Sequence, residues 1–213
     1  MAKDISIIGR RKRIAVVGAG IGGLVSALKL ANDGFEVTVF ESSDYPGGKI
    51  RTIDSSCGPV NIGPTVLTML SVFQSLFEEV GENIFDHLEL KEQQILARHW
   101  WSDGTEFDLL ANKDDALDEV RRVFGANSEK QFIKFYKSTE GMFDCFEKPI
   151  MRSSSPTALA ILKEICNNPK IIPVLIPFLT LEKYLKNKFS EPKLQQLFGR
   201  YSTYVGGSPL NSP

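Results

Sequence analysis

The sequence is poor in cysteine and histidine, and this scarcity excludes several kinds of site. Its 213 residues contain three cysteines, Cys57, Cys145 and Cys166, which form no CxxC pair. Such spacing supports neither a disulfide framework nor a zinc site, so we expect reduced thiols in a cytoplasmic protein. The two histidines are His87 and His99, and we expect no metal site.

An excess of charge of either sign is also lacking. The 25 basic and 26 acidic residues give a formal net charge of −1. A strongly basic surface of the kind that binds nucleic acid is therefore not indicated, and we expect no nucleic-acid partner. The length suffices for one large domain or two small ones.

One long stretch with little charge, residues 14–30, follows the basic run at residues 10–13 and so has the outline of a signal peptide. Its four glycines favour a turn instead, no small-residue cleavage site follows, and a second apolar strand lies beyond it. We interpret it as a strand, a glycine-rich turn and a helix.

Hydrophobic periodicity predicts a βαβ unit over residues 13–41. Arg13–Val17 is largely β-branched and apolar, which predicts a buried parallel strand. Gly22–Asn32 has helical spacing and is followed by Gly34, a helix-ending glycine. Glu36–Phe40 predicts the second strand. Further along, the pattern predicts helices over 66–80, 114–124, 129–147 and most of 157–200, and strands over 88–101 and 105–110.

The glycine-rich turn carries the first motif with a chemical meaning. Gly18, Gly20 and Gly23 fit GxGxxG, and Glu41 stands at the end of the second strand. This arrangement is typical of dinucleotide binding, because bare backbone and a helix N-terminus meet the pyrophosphate while the acid binds ribose hydroxyls. A carboxylate at Glu41 disfavours NADP. The alternatives are a glycine turn without a ligand and a solvated surface acid. The residues between the three motif glycines, Ala19, Ile21 and Gly22, belong to the same predicted site.

A second glycine motif follows at Pro46–Thr52. Gly47 and Gly48 let the backbone pass close to a diphosphate, and Lys49 or Arg51 can neutralise it. An ordinary β-turn beside surface bases is the alternative interpretation.

With both motifs in place, Val16–Thr52 resembles the flavin-containing amine oxidase and phytoene desaturase superfamily. Gly58–Thr68 resembles the bacterial carotenoid desaturase branch, and His99–Gly104 and Phe198–Pro209 are similar to hydroxycarotenoid (hydroxyneurosporene, methoxyneurosporene) 3,4-desaturases. The resemblance implies FAD as the cofactor and an α/β fold of the Rossmann type, incomplete here, with part of a mixed α+β substrate domain. It adds Gly63 and Pro64 to the cofactor-binding residues.

The resemblance also sets the expected domains. Residues 1–12 form a flexible N-terminus, 13–65 the FAD-binding part and 66–213 a partial substrate domain. Lys49 stands where many relatives have Arg, and Asn61 stands where Asp is expected. Relatives are more than twice as long, so we expect an N-terminal fragment that requires a missing C-terminal half or a companion chain.

The resemblance implies FAD-dependent introduction of C=C bonds into a carotenoid, with hydride passing from a long apolar polyene to the flavin. No side chain in the sequence is assigned a catalytic role, and His99 is interpreted as a strand-end or core residue. An amine oxidase of the same superfamily and a non-catalytic nucleotide-binding fragment are the alternatives.

A membrane-dissolved substrate also calls for contact with the bilayer. Ile171–Leu181 is a short apolar run, and Lys183, Lys186 and Lys188 follow it. We expect peripheral binding through residues 171–188 at the inner face of the membrane. A buried helix with a solvated basic face is the alternative.

Overall fold

The computed structural model describes residues 12–64, 66–169 and 179–212. The chain divides into two compact units, Met1–Lys91 and Glu92–Pro213. The expected flexible start lies outside the described residues except for its last residue, and so does most of the apolar run at 171–181.

The first unit is built on the βαβ segment. Strand β1 (Arg13–Val17) pairs in parallel with β2 (Glu36–Phe40), in a register that places Arg13 beside Glu36 and Val17 beside Phe40. Helix α1 (Ile21–Asn32) connects them. Gly34, at φ +89°, ends the helix by donating to the carbonyl of Ala31, while Phe35 donates to that of Leu30. The predicted strands and the helix-ending glycine are confirmed.

The prediction that β1 is buried is wrong. Its residues alternate between exposed and half-buried, and Val17 keeps 86% of its surface. The physical reason is that the sheet has two strands and one connecting helix, so neither face is fully covered. Large apolar side chains therefore remain exposed on β1, β2 and α1: Val17, Leu24, Leu28, Val39 and Phe40.

Short elements complete the first unit. Strands β3 (Thr52–Ile53) and β4 (Val60–Asn61) form an antiparallel pair, and helix α2 (Leu70–Glu79) follows. The helix begins four residues later than predicted, after Met69, whose φ of +53° is incompatible with continuing the helix backwards. Lys29 on α1 pairs with Glu79 on α2 at 2.6 Å.

The second unit opens with a β-hairpin. Strands β5 (Ile95–Trp100) and β6 (Glu106–Leu110) are antiparallel, and Gly104 turns the chain at φ +82°. The strand predicted over residues 88–101 is therefore shorter than expected. Lys193 fixes the hairpin turn, because its ammonium group donates hydrogen bonds to Asp103 and, at 2.6 Å, to Thr105.

Helices form the rest of the second unit. Helix α3 (Lys113–Phe146) starts at Asn112, whose side chain accepts from the amides of Asp114 and Asp115. Gly125 has φ +84° and ψ 171° and breaks α3 into the two helices that the sequence predicts. A π-helical turn (Glu147–Met151), α4 (Ala158–Asn167), α5 (Leu181–Lys188), α6 (Pro192–Gly199) and a 3-10 helix (Arg200–Val205) follow.

The second unit has a clear hydrophobic core. Phe107 of the hairpin, Val120 and Phe132 of α3, and Leu185 and Leu194 of α5 and α6 are almost completely buried. Each such side chain contributes about 1.5–3 kcal/mol by leaving water. The hairpin and three helices therefore depend on one another. Within the described residues, no helix is both long and apolar enough to cross a membrane.

We predict that Leu194→Ala destabilises the chain strongly, because Leu194 has no exposed surface and truncation leaves a cavity. The expected loss in the free energy of unfolding is about 2–5 kcal/mol. Leu159→Ala is the matched control, since 79% of Leu159 is exposed and its truncation changes stability by less than about 0.5 kcal/mol. Denaturant titration measures the stability of both variants, and equal unfolding midpoints would contradict the burial of Leu194 in this core.

Candidate functional site

The glycine turn after β1 is closed too tightly for side chains. Gly18, at φ +97°, donates its amide to the carbonyl of Phe40 at 2.7 Å and so ties the turn to the end of β2. A Cβ on Gly23 would lie 1.9 Å from the Gly18 carbonyl oxygen. Gly23 is therefore required for α1 to pack against the turn. Gly22 has open space around it, so its position imposes no such steric demand.

The N-terminus of α1 faces this turn without a capping side chain. Gly20 is the N-cap, in an extended conformation, and the first turn of α1 holds no acidic residue. The amides at the start of a helix and the positive end of its dipole favour an anion. Ala19 is buried, whereas Ile21 is about half exposed. Backbone amides without a capping side chain and the positive end of the helix dipole therefore lie at the same place.

The second glycine motif lies directly against the first. Gly47 donates to the carbonyl of Ala19 at 2.8 Å. Gly48 has φ +60°, and a Cβ there would lie 3.0 Å from the Cα of Gly20. The two loops thus meet backbone to backbone, and the structure brings together the two motifs that the sequence predicts to share a ligand.

Gly63 has a structural role that the resemblance did not reveal. A Cβ on Gly63 would lie 1.9 Å from the carbonyl oxygen of Lys49 and 3.0 Å from the Cα of Ile50. Ile62 also donates to the carbonyl of Arg51 at 3.0 Å. Gly63 therefore packs directly against the backbone of the second glycine loop, and Pro64 beside it is exposed. The sequence offers one signal for this, a Gly-Pro pair directly after a short strand.

The bases of the second motif are exposed. In the part of the chain that the structure describes, neither Lys49 nor Arg51 forms an ion pair with a carboxylate. Both charges are therefore available to an anionic ligand, and the long flexible side chains can reach it from solvent.

Glu41 joins the first glycine turn to the end of β2. One carboxylate oxygen accepts from the amide of Ala19 at 2.6 Å, and the other accepts from the amides of Ser42 at 2.8 Å and Ser43 at 3.0 Å. The bonds from Ser43 and then Ala19 lower the pKa of Glu41 to about 2. Glu41 is consequently an anion at neutral pH. The spacing predicted a ribose ligand, and the structure adds that the same carboxylate orders the turn.

His99, in the second unit, packs among aromatic rings. Its ring lies 5.8 Å from that of Trp101 and 6.3 Å from that of Phe107. Neither ring nitrogen has a hydrogen-bond partner among the described residues, and burial lowers the pKa of the imidazole. A neutral ring in such packing agrees with the interpretation of His99 as a core residue.

A comparison with solved structures finds the same fold in a much larger protein. A point mutant of putrescine oxidase superposes with a TM-score of 0.51 at 19% sequence identity, over 90% of this chain and 36% of that one. At this identity the likeness concerns the fold alone.

Curated relatives match at higher identity. Hydroxyneurosporene desaturase of Cereibacter sphaeroides is 43% identical over 201 residues, and that of Rhodobacter capsulatus is 38% identical over 200. The 1-hydroxycarotenoid 3,4-desaturase of a Flavobacterium species is 31% identical over 211. These matches cover 94–95% of this chain and 40–41% of the relatives. The chain thus spans about two fifths of the length of the curated relatives it matches.

The family model that matches covers residues 16–80 and describes an NAD(P)-binding Rossmann-like domain. This range contains both glycine motifs, Glu41 and Gly63. Residues 16–80 therefore match a Rossmann-like NAD(P)-binding domain, and over nearly its whole length the chain is similar to part of the hydroxyneurosporene desaturases.

Proposed function

We propose that this chain supplies the FAD-binding part of a carotenoid desaturase, an oxidoreductase of carotenoid biosynthesis. The observation that carries the proposal is the contact between the two glycine loops, in which Gly47 donates to Ala19 and Gly48 lies on Gly20. A single glycine motif serves many dinucleotides. The second loop, in a homologue of carotenoid desaturases, favours a flavin dinucleotide.

The contact between the two glycine loops and the uncapped start of α1 beside it form a cradle that fits a diphosphate. Gly20 and Gly48 bring the two loops together without side chains between them, and the uncapped start of α1 lies beside this contact. The pyrophosphate would accept from these amides, and Lys49 and Arg51 would neutralise its charge. The cofactor-binding set proposed from the two motifs and the Gly-Pro pair is Gly18, Ala19, Gly20, Ile21, Gly22, Gly23, Glu41, Gly47, Gly48, Lys49, Arg51, Gly63 and Pro64.

Glu41 gives the site its choice of nucleotide. The carboxylate is ionised at neutral pH, and it is fixed at the end of β2 by three amides. A fixed anion accepts hydrogen bonds from ribose hydroxyls and repels a 2′-phosphate. The site therefore favours FAD or NAD over NADP.

Desaturation removes a hydride and a proton from neighbouring carbons of the substrate, and a bound flavin would supply the hydride acceptor. The protein residues around the flavin would orient it and exclude water. We assign residues 13–65 to cofactor binding and residues 66–213 to part of the substrate domain. The compact units divide elsewhere, between Lys91 and Glu92, and α2 in the first unit is tied to α1 by the ion pair between Lys29 and Glu79.

Nucleotide binding without turnover is a second candidate function. The set proposed here would form only the adenosine diphosphate side of a dinucleotide site, and the chain spans about two fifths of the relatives. Amine oxidation is the alternative suggested by the putrescine oxidase fold. Product analysis with a carotenoid and with an amine separates the two chemistries.

We predict that Gly48→Val reduces flavin retention about tenfold, because the added side chain enters the contact with Gly20 and overpacking costs about 1–3 kcal/mol. Gly141→Ala is the matched control, since a Cβ there meets no atom within 4 Å. The visible spectrum after incubation with FAD and desalting measures retention. A wild-type chain that retains no flavin contradicts FAD binding, and an unaffected variant contradicts the cradle.

The hydrogen bonds to Glu41 should make the free energy of unfolding of the chain depend on pH in the acidic range. Its pKa is about 2 in the folded chain against an ordinary value of 4.5, so its stabilising contribution is present above pH 4.5 and is lost as the pH falls to 2. Glu41→Gln removes that part of the pH dependence, whereas Glu36→Gln, on the same strand, retains it. Urea titrations between pH 2 and 6 measure the effect, and parallel profiles for wild type and Glu41→Gln would contradict it.

Membrane contact through residues 171–188 stays a prediction. Within the described part, Lys186 pairs with Glu182 at 2.7 Å and Lys188 lies over the ring of Tyr184, which leaves Lys183 the most available charge. We expect the chain to float with anionic liposomes, and Leu175→Asp with Leu179→Asp to reduce flotation about tenfold. Leu159→Asp serves as the exposed control. Unchanged flotation of the double variant would refute contact through this segment.

A further inference from the structure

A groove of about 800 Å³ opens in the second unit, and all of its lining residues belong to that unit. Its floor is the second half of α3, and its wall is formed by α5, α6 and the 3-10 helix that follows. The volume lies within the range of small-molecule sites. The residues that line it are Phe135, Tyr136, Thr139, Glu140, Phe143, Asp144, Leu181, Leu185, Phe198 and Tyr201.

The groove runs along the helix. Phe135, Thr139 and Phe143 are spaced four residues apart and form one row on α3. Glu140 and Asp144 belong to the neighbouring row, which begins at Tyr136. At about 1.5 Å per residue, the lining from Phe135 to Asp144 extends over roughly 14 Å. An elongated ligand lying parallel to α3 fits this form better than a compact one.

Stacked aromatic rings make up the wall. Phe135 and Phe198 have their ring centroids 4.7 Å apart. Phe198 stacks on Tyr201 at 6.3 Å with an angle of 19°, and Tyr201 stacks on Tyr204 at 5.6 Å with an angle of 14°. Phe135, Phe198 and Tyr201 of this series line the groove and offer apolar ring surface to a conjugated chain. Phe143 adds a half-exposed ring to the lining.

One end of the groove is acidic. Glu140 and Asp144 are exposed, and the structure shows no ion pair for either of them with another described residue. Two carboxylates accept hydrogen bonds from a hydroxyl, whereas they repel a carboxylate on a ligand. The charge at this end therefore selects an alcohol over a fatty acid of the same chain.

We propose that this groove binds the conjugated chain of a hydroxylated polyene, with the terminal hydroxyl at Glu140 and Asp144 and the chain against Phe143 and Tyr201. The class of ligand in this inference rests on the proposed function. The place and orientation of the ligand rest on the groove alone. In this proposal the apolar, aromatic lining holds the chain of the ligand and the acidic end holds its hydroxyl, so the ligand binds in one orientation.

Parinaric acid and the alcohol obtained by reducing it are suitable probes, because both fluoresce more strongly in apolar surroundings and differ only at the polar end. We expect the purified chain to bind the alcohol about tenfold more tightly than the acid at neutral pH, since two carboxylates face the anion. The double variant Glu140→Gln, Asp144→Asn should reduce this ratio to about twofold. Asp118→Asn, an exposed acid on the first half of α3, should leave the ratio unchanged.

The apolar part is tested separately. Phe143→Ser should weaken both probes about fivefold, because a half-exposed ring is removed from the groove. Leu159→Ser, an exposed residue outside the groove, should change neither. Far-ultraviolet circular dichroism and melting curves establish that the variants are folded. Equal binding of alcohol and acid, or an unaffected Phe143→Ser, would overturn the proposal.

Flavin retention on the same preparations keeps the two proposals apart. The groove lies in the second unit and the glycine loops in the first, so substitutions in the groove should leave the flavin spectrum unchanged. A chain that holds flavin but does not discriminate between the probes contradicts the groove alone. A chain that discriminates but holds no flavin contradicts the proposed cofactor and leaves the groove standing.

Discussion

The first unit depends on the close approach of backbone to backbone around the glycine turn. A side chain at Gly23 or at Gly63 would place its Cβ 1.9 Å from a carbonyl oxygen, a distance that no rearrangement of side chains can relieve. Gly48 and Gly20 also meet closely, since a Cβ on Gly48 would lie 3.0 Å from the Cα of Gly20. The contact between the two glycine loops is therefore made by backbone rather than by side chains. The same constraint thus shapes the fold and the site.

Glu41 shows how charge complements that geometry. A carboxylate that accepts three amides is held in one orientation, and those amides lower its pKa to about 2. The anion stabilises the turn when no ligand is present, and a ribose hydroxyl would share the same oxygens. The start of α1 carries positive potential, and the negatively charged Glu41 accepts from the amide of Ala19, one residue before the N-cap. This polarity fits a ligand with phosphates at one end and a hydroxylated sugar at the other.

The sequence predicted those features that depend on local chemistry. The two parallel strands, the helix-ending Gly34, the hairpin turn at Gly104 and the break near Gly125 all follow from residue type and spacing. The burial of β1 did not follow, because burial depends on which elements cover a strand and not on its own residues. Strand β5 starts at Ile95 rather than at residue 88, since pairing with β6 decides where it begins. The packing of Gly63 against the second glycine loop joins two separate segments, and the Gly-Pro pair alone does not say which segment Gly63 contacts.

The two units also differ in how their chemistry is encoded. In the first unit the proposed ligand is recognised mainly by backbone amides, and a backbone site leaves glycines at fixed spacings that a single sequence reveals. In the second unit the groove is assembled from α3, α5, α6 and the 3-10 helix, and its lining comes from residues 135–201. Apolar side chains in such a segment predict burial in general and say little about the ligand. Glu140 and Asp144 set the proposed orientation of the ligand. Their spacing on α3 becomes informative only once the structure shows aromatic residues lining the same groove. The proposed cofactor site is therefore encoded as a motif, whereas the proposed groove is encoded as packing, and a physical account of this protein requires both.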